Sequence, residues 1–149
     1  MIFVLDTQHV SQLQRESSRD SQLLESKMAA HATDIFHITI ITAFEQIWSC
    51  SKKIDNESGP VRLRHFKLLH DLIEFYARWS GRILPFDGRA SSIFNGFDKK
   101  MIRRIGREDA WIASIALAHN ATVLTANKSD FNQVPGLKVE NWLTRHEAT

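Results

Sequence analysis

Two hydrophobic patterns take turns along this chain. Five short runs are apolar nearly throughout and rich in β-branched residues. They cover residues 2–5 (Ile-Phe-Val-Leu), 35–40, 82–86, 122–125 and 137–141. Runs of this kind predict strands buried on both faces. Between them apolar positions recur at steps of three or four, which predicts helices. In the longest such segment, 60–80, Leu63, Phe66, Leu69, Ile73, Tyr76 and Trp79 form one stripe. A second helix is expected after Asp87, an N-cap residue type, burying Phe94, Phe97, Met101 and Ile105. Its opposite side carries Lys99, Lys100, Arg103, Arg104 and Arg107. A third helix, 108–120, leads into the fourth strand. Strands alternating with helices imply parallel β-α-β units, and so an α/β fold with helices on both faces of a parallel sheet. No repeat, low-complexity tract or Pro/Gly-rich linker interrupts the pattern, so a single domain over 1–149 is expected.

In parallel sheets of this type ligands bind beyond the carboxyl ends of the strands. Asp6 follows the first strand with no turn residue between them. Glu45 is the one acid in the stretch after the second strand. Thr42-Ala-Phe-Glu45 also has the Thr-x-x-Glu form of a capping box, with Thr42 as the cap. Asp109 stands at the start of the third helix, whose N-terminus falls on the same edge because that helix runs back against the strand it feeds. Asp109 heads the apolar column Ile112, Ala113 and Ala116, with Glu108 as its rival for the inward position. The fourth strand runs into Thr125, Asn127 and Asp130. Asn127 and Asp130 taken singly are turn formers. Four carboxylates from four segments nevertheless meet at one predicted edge, and their mutual repulsion calls for a countercharge. A hard divalent cation, Mg²⁺ or Mn²⁺, suits all-oxygen ligands.

Composition narrows the field. The chain has 149 residues, 43% of them hydrophobic and 24% charged, as in ordinary globular proteins. The single Cys50 excludes an internal disulfide and a cysteine zinc site, and argues for a reducing compartment. The opening Met-Ile-Phe-Val-Leu is too short for an export signal and no run reaches membrane-span length, so a cytoplasmic location is expected. The six glycines are scattered and form no phosphate loop. Net charge is only +2, but the basic residues cluster at 99–107 and again at 62–67, either of which is a solvated helix face or a phosphate-binding one. Trp48, Trp79, Trp111 and Trp142 read as core or sheet-edge packing.

The ordered set Phe-Val-Leu-Asp-Thr (3–7), Ile-Thr-Ile-Ile-Thr-Ala-Phe-Glu-Gln (38–46) and residues 105–142, with Thr-x-Asn-x-x-Asp-Phe and Val-Pro-Gly-Leu inside it, resembles the PIN domain, in particular VapC-type toxins of bacterial toxin–antitoxin modules. The likeness extends over nearly the whole chain. It implies a PIN-like three-layer α/β/α fold and a Mg²⁺- or Mn²⁺-dependent ribonuclease. It carries metal-binding roles onto Asp6, Glu45, Asp109 and Asp130, and supporting roles onto Thr7, Thr125 and Asn127. It also implies a homodimer held inactive by a small VapB-like antitoxin. An RNA backbone would lie along the basic helix, at Lys99, Arg103 and Arg104. The chain departs from the family at Gln8, where Asn or Asp is usual, and at Ala126, where Arg is frequent. Two alternatives stand beside this reading: a non-catalytic RNA- or partner-binding relative, and a Mg²⁺-binding receiver domain with Asp87 as its acceptor.

Overall fold

The computed structural model describes residues 1–143. Its centre is a five-stranded sheet of β1 (Ile2–Leu5), β2 (Ile35–Thr39), β3 (Ile83–Leu84), β4 (Thr122–Leu124) and β5 (Lys138–Glu140). The order is β3-β2-β1-β4-β5 and every pairing is parallel. Leu5 therefore sits in register with Ile38 on one side and Leu124 on the other. With β1 in the middle, the chain winds outward in both directions, and the β1–β4 boundary is the switch point where such sheets open a crevice.

Eight helices complete the described chain: α1 (Thr7–Gln14), α2 (Arg19–Ala30), α3 (Ile40–Asn56), α4 (Gly59–Arg78), α5 (Gly88–Asn95), α6 (Lys99–Ile105), α7 (Arg107–Ala118) and α8 (Lys128–Phe131). Alternate strand residues feed two cores. Val4 and Val123 join Ala90, Met101, Ile112 and Ile115 from α5, α6 and α7. Phe3, Leu5, Ile38 and Leu124 join Val10, Leu24, Leu72 and Phe75 from α1, α2 and α4. The expected three-layer α/β/α architecture is thus present. None of the described helices is long and apolar enough to cross a membrane.

Four details differ from expectation. The helix predicted after Asp87 is two: α5 stops at Gly96, and Asp98 caps α6 by accepting the Lys100 N–H at 3.0 Å. The capping box at Thr42 is absent, because α3 begins earlier. Thr39 caps it, its Oγ1 accepting the Thr42 N–H at 3.3 Å, so Glu45 lies inside the second turn. On α4 the buried residues are Leu72, Phe75 and Tyr76, whereas Leu63, Phe66 and Ile73 of the predicted stripe are exposed. The helix carries two overlapping apolar stripes, and only the one toward α3 and the second core is covered. Trp48 is also exposed, 54% accessible and stacked on Phe44, while Trp142 is buried.

Candidate active site

Four segments end at the carboxyl edge of the sheet, and each presents an acid. Asp6 closes β1. Its backbone N–H reaches the Leu124 carbonyl at 3.0 Å, and its carboxylate caps α1 by accepting the His9 N–H at 2.9 Å. An acid that ends a strand and starts a helix in one step is held on both sides. Asp6 is buried even so. Glu45 rides the inner face of α3, where Thr7 Oγ1 donates to its Oε1 at 3.4 Å and lies 3.2 Å from Thr42 Oγ1. Asp109 is in the first turn of α7. Asp130 is in α8, and Asn127 Nδ2 donates to its Oδ2 at 2.8 Å. Buried Thr125 accepts the Asn127 N–H at 2.9 Å, which shapes the turn that presents both residues.

The electrostatics show the convergence. Glu45 is pushed up to about 7, by burial first and then by the charges of Asp109, Glu108 and Asp6. Asp109 is raised to about 6, again by burial first and then by Asp6 and Asp130, with the Asn127 amide pulling the other way. The structure thus brings Asp109 within reach of the charges of Asp6 and Asp130, and Glu45 within reach of those of Asp109 and Asp6. Glu108 touches the field of the site but pairs with its neighbour Arg107 at 3.2 Å. The donor set is all carboxylate oxygen, with amide and hydroxyl groups behind it, which suits Mg²⁺ or Mn²⁺ rather than a softer ion. Among the described residues no group of three or more His, Cys, Asp or Glu side chains stands close enough together to hold a metal ion. Mg²⁺ commonly takes only one or two carboxylates directly and keeps several of its waters.

With no cation bound, this crowding has a measurable sign. Glu45 and Asp109 bind protons more tightly in the folded chain than in the unfolded one, where they titrate near 4. The stability they lend when protonated is whole below about pH 4 and is lost as pH rises through about 6 and about 7. Both are only half-buried, so solvent screening leaves roughly 1–2 kcal/mol of this. The Tm of the metal-free protein is therefore expected to fall by about 3–6 °C from pH 5 to pH 8. Glu45→Gln should flatten the fall; a Tm that is level or rising in the parent contradicts the crowding.

Several other expectations resolve in the structure. Lys99, Lys100, Arg103 and Arg104 are exposed on α6, and none is in an ion pair among the described residues. This helix packs on α7 and α8, the carriers of Asp109 and Asp130. Arg107 leaves the stripe: Gly106, at φ +95°, ends α6, and Arg107 stacks on Trp111 at 4.7 Å. Asp87 caps α5 by accepting the Ala90 N–H at 3.0 Å, and its charge is absent from those acting on Glu45 and Asp109. A receiver-type acceptor role for it has no support here. Cys50 is buried, donates to the His65 carbonyl at 3.1 Å and has its thiol pushed up by burial, the opposite of a nucleophile.

One neighbour of the acids escaped the sequence pattern. His9, fully buried, places Nδ1 3.1 Å from Asp6 Oδ1 and receives the Trp142 N–H on Nε2 at 3.3 Å. Its spacing from Asp6 was the available signal, since an N-cap acid and a residue three positions on face each other.

Comparison with known proteins bears on this arrangement. The PIN domain profile matches residues 3–137. A protein of Rickettsia felis, Ribonuclease VapC2, is 30% identical over 142 residues, spanning 95% of this chain and 98% of that protein. The crystal structure of VapBC2 from Rickettsia felis bound to a DNA fragment from its promoter superposes with a TM-score of 0.71 at 23% identity, over 95% of this chain and 99% of its counterpart. DNA-bound VapBC from Salmonella typhimurium gives 0.69 at 21% identity, over 95% and 98%. At these identities the two structures are alike in fold.

Proposed function

The chain belongs to the PIN domain family, and from that premise we propose that it is a divalent-metal-dependent ribonuclease, the toxin of a VapBC-like toxin–antitoxin module, acting on single-stranded or loop RNA. The observation that carries this reading is the placement of Asp6, Glu45, Asp109 and Asp130 on one sheet edge, where burial first and neighbouring carboxylates second raise Glu45 and Asp109.

Asp6 and Asp109 hold the ion, with Glu45 and Asp130 as direct or water-mediated partners. When bound, Mg²⁺ or Mn²⁺ supplies Lewis acidity that acidifies water and offsets charge developing on the phosphate. The chain's own part is positioning. Thr7 orients Glu45, Asn127 orients Asp130, and Thr125 fixes the turn bearing Asn127. A carboxylate held this way meets its ion without first giving up freedom. Lys99, Arg103 and Arg104 supply the countercharge for the RNA backbone beside the acids. Position 126 carries Ala, with no charge to offer a phosphate, which leaves this work to α6. The R. felis relative is named a ribonuclease, and related folds occur in VapBC assemblies. A small VapB-like antitoxin is the corresponding partner here. The exposed Phe44, Trp48, Leu63, Phe66 and Ile73 on α3 and α4 support an apolar contact face, for a second copy in a homodimer or for that antitoxin.

The deciding experiment is cleavage of a labelled single-stranded RNA by purified protein with Mg²⁺, with Mn²⁺ and with chelator. Cleavage only in the presence of metal supports the reading. RNA binding without cleavage at any metal concentration overturns it in favour of a non-catalytic relative.

The basic helix has its own test. In an Asp6→Asn background, where binding is read without cutting, log affinity should fall with log salt by about 0.7 per phosphate contacted. Adding Lys99→Gln and Arg103→Gln should flatten the slope by roughly one unit while leaving base preference alone. An unchanged slope assigns the stripe to solvent and moves the RNA path toward Arg62, Arg64 and Lys67.

A further inference from the structure

We propose that His9 is a positioning residue for the metal site: it locks the Asp6 carboxylate for its ion and ties that carboxylate to the end of the chain beyond β5. The inference rests on the ribonuclease reading and extends it to a residue outside the acid set. Asp6 Oδ1 receives two hydrogen bonds from the same residue, the His9 backbone N–H at 2.9 Å and the imidazole Nδ1 at 3.1 Å. Among the described residues neither bond, nor any other, falls on Oδ2. One oxygen is thus saturated by protein and the other is left for a cation.

The direction of these bonds follows from the far side of the ring. The Trp142 backbone N–H can only donate, and it points at Nε2 at 3.3 Å. Nε2 must then be the bare acceptor, so the ring proton sits on Nδ1 and is donated to Asp6. A histidine that donates to a metal-binding carboxylate fixes its rotation and its charge distribution, a role whose loss costs about 10–100-fold in metal affinity. The ring has no freedom to do otherwise, because it is fully buried between Asp6 and Trp142. Trp142 is itself packed between Phe3, Phe36 and His31. The Asp6 carboxylate is therefore referenced to β1 through its own backbone and to the β5 end through the imidazole.

Two amide substitutions separate this from a merely structural role. His9→Asn puts an N–H donor near the place of Nδ1, whereas His9→Gln puts it near the place of Nε2; both keep a polar group in a polar slot. Mn²⁺ binding by titration calorimetry, with Asp6→Asn as the zero reference, should stay within about threefold of the parent in His9→Asn and weaken about tenfold or more in His9→Gln. Equal affinities in the two variants, or the reverse order, overturn the proposal. Long-range ¹H–¹⁵N NMR of the unmodified protein gives a readout that needs no variant to fold. It should show His9 protonated on Nδ1 with Nε2 bare, and a ring protonated on Nε2 overturns the proposal. A parent protein that binds no Mn²⁺ overturns the ribonuclease reading as well, whereas parent binding with no difference between the variants overturns this inference alone.

Discussion

Asp6→Asn is expected to remove metal-dependent RNA cleavage by about 10³-fold or more, a loss of roughly 4 kcal/mol in transition-state stabilisation. The substitution is close to isosteric, and the Asn side-chain oxygen still accepts the His9 N–H that begins α1. What goes is the negative charge nearest the centre of the sheet. The fold should survive, and the metal-free Tm should be unchanged or slightly higher, because Asp109 and Glu45 each lose a like charge beside them. A well-folded Asp6→Asn protein that cuts RNA at the parental rate would rule out the carboxylate centre.

The second large effect separates two adjacent acids. Asp109→Ala should lower cleavage by about 10²–10³-fold, whereas Glu108→Ala should stay within a few-fold of the parent. Asp109 is raised by burial first and then by the charges of Asp6 and Asp130. Glu108 pairs with Arg107; its charge acts on Glu45 after burial and Asp109, and on Asp109 it is the smallest of the contributions. Parallel kinetics and Mn²⁺ titrations of the two variants check this. Were Glu108→Ala the damaging change, the first turn of α7 would be presenting its other face to the pocket.

The inner strands β1 and β4 were legible because they are covered on both sides and are almost wholly apolar, whereas the edge strand β5, Lys-Val-Glu, is largely exposed. Helices α1 and α2 were not, since each has only two buried residues and a largely polar remainder. Helix α4 misled for the opposite reason: it has more apolar residues than one face needs, and periodicity cannot say which stripe finds a partner. The break between α5 and α6 depended on Gly96 and on the cap supplied by Asp98, local chemistry that an apolar stripe running through both segments concealed. Among the site residues, Asp6 directly follows β1 and Asp109 opens α7, so topology put them on one edge, whereas Glu45 lies a turn inside α3. The pairing of Asn127 with Asp130 looked like turn chemistry and is that as well as support for an acid. His9 offered one signal, its spacing from Asp6, but half of its environment arrives from Trp142, far along the sequence.

The central place of β1 gives the protein a timetable. Phe3 and Leu5 precede one of their two neighbours, the strand of Thr122 and Leu124, by most of the length of the domain. Pairing across so long a loop is slow to form, because closure entropy must be met before the contact rewards it. Asp6 precedes Asp109 and Asp130 along the chain, and the acids of this sheet edge come together only once β4 has paired with β1.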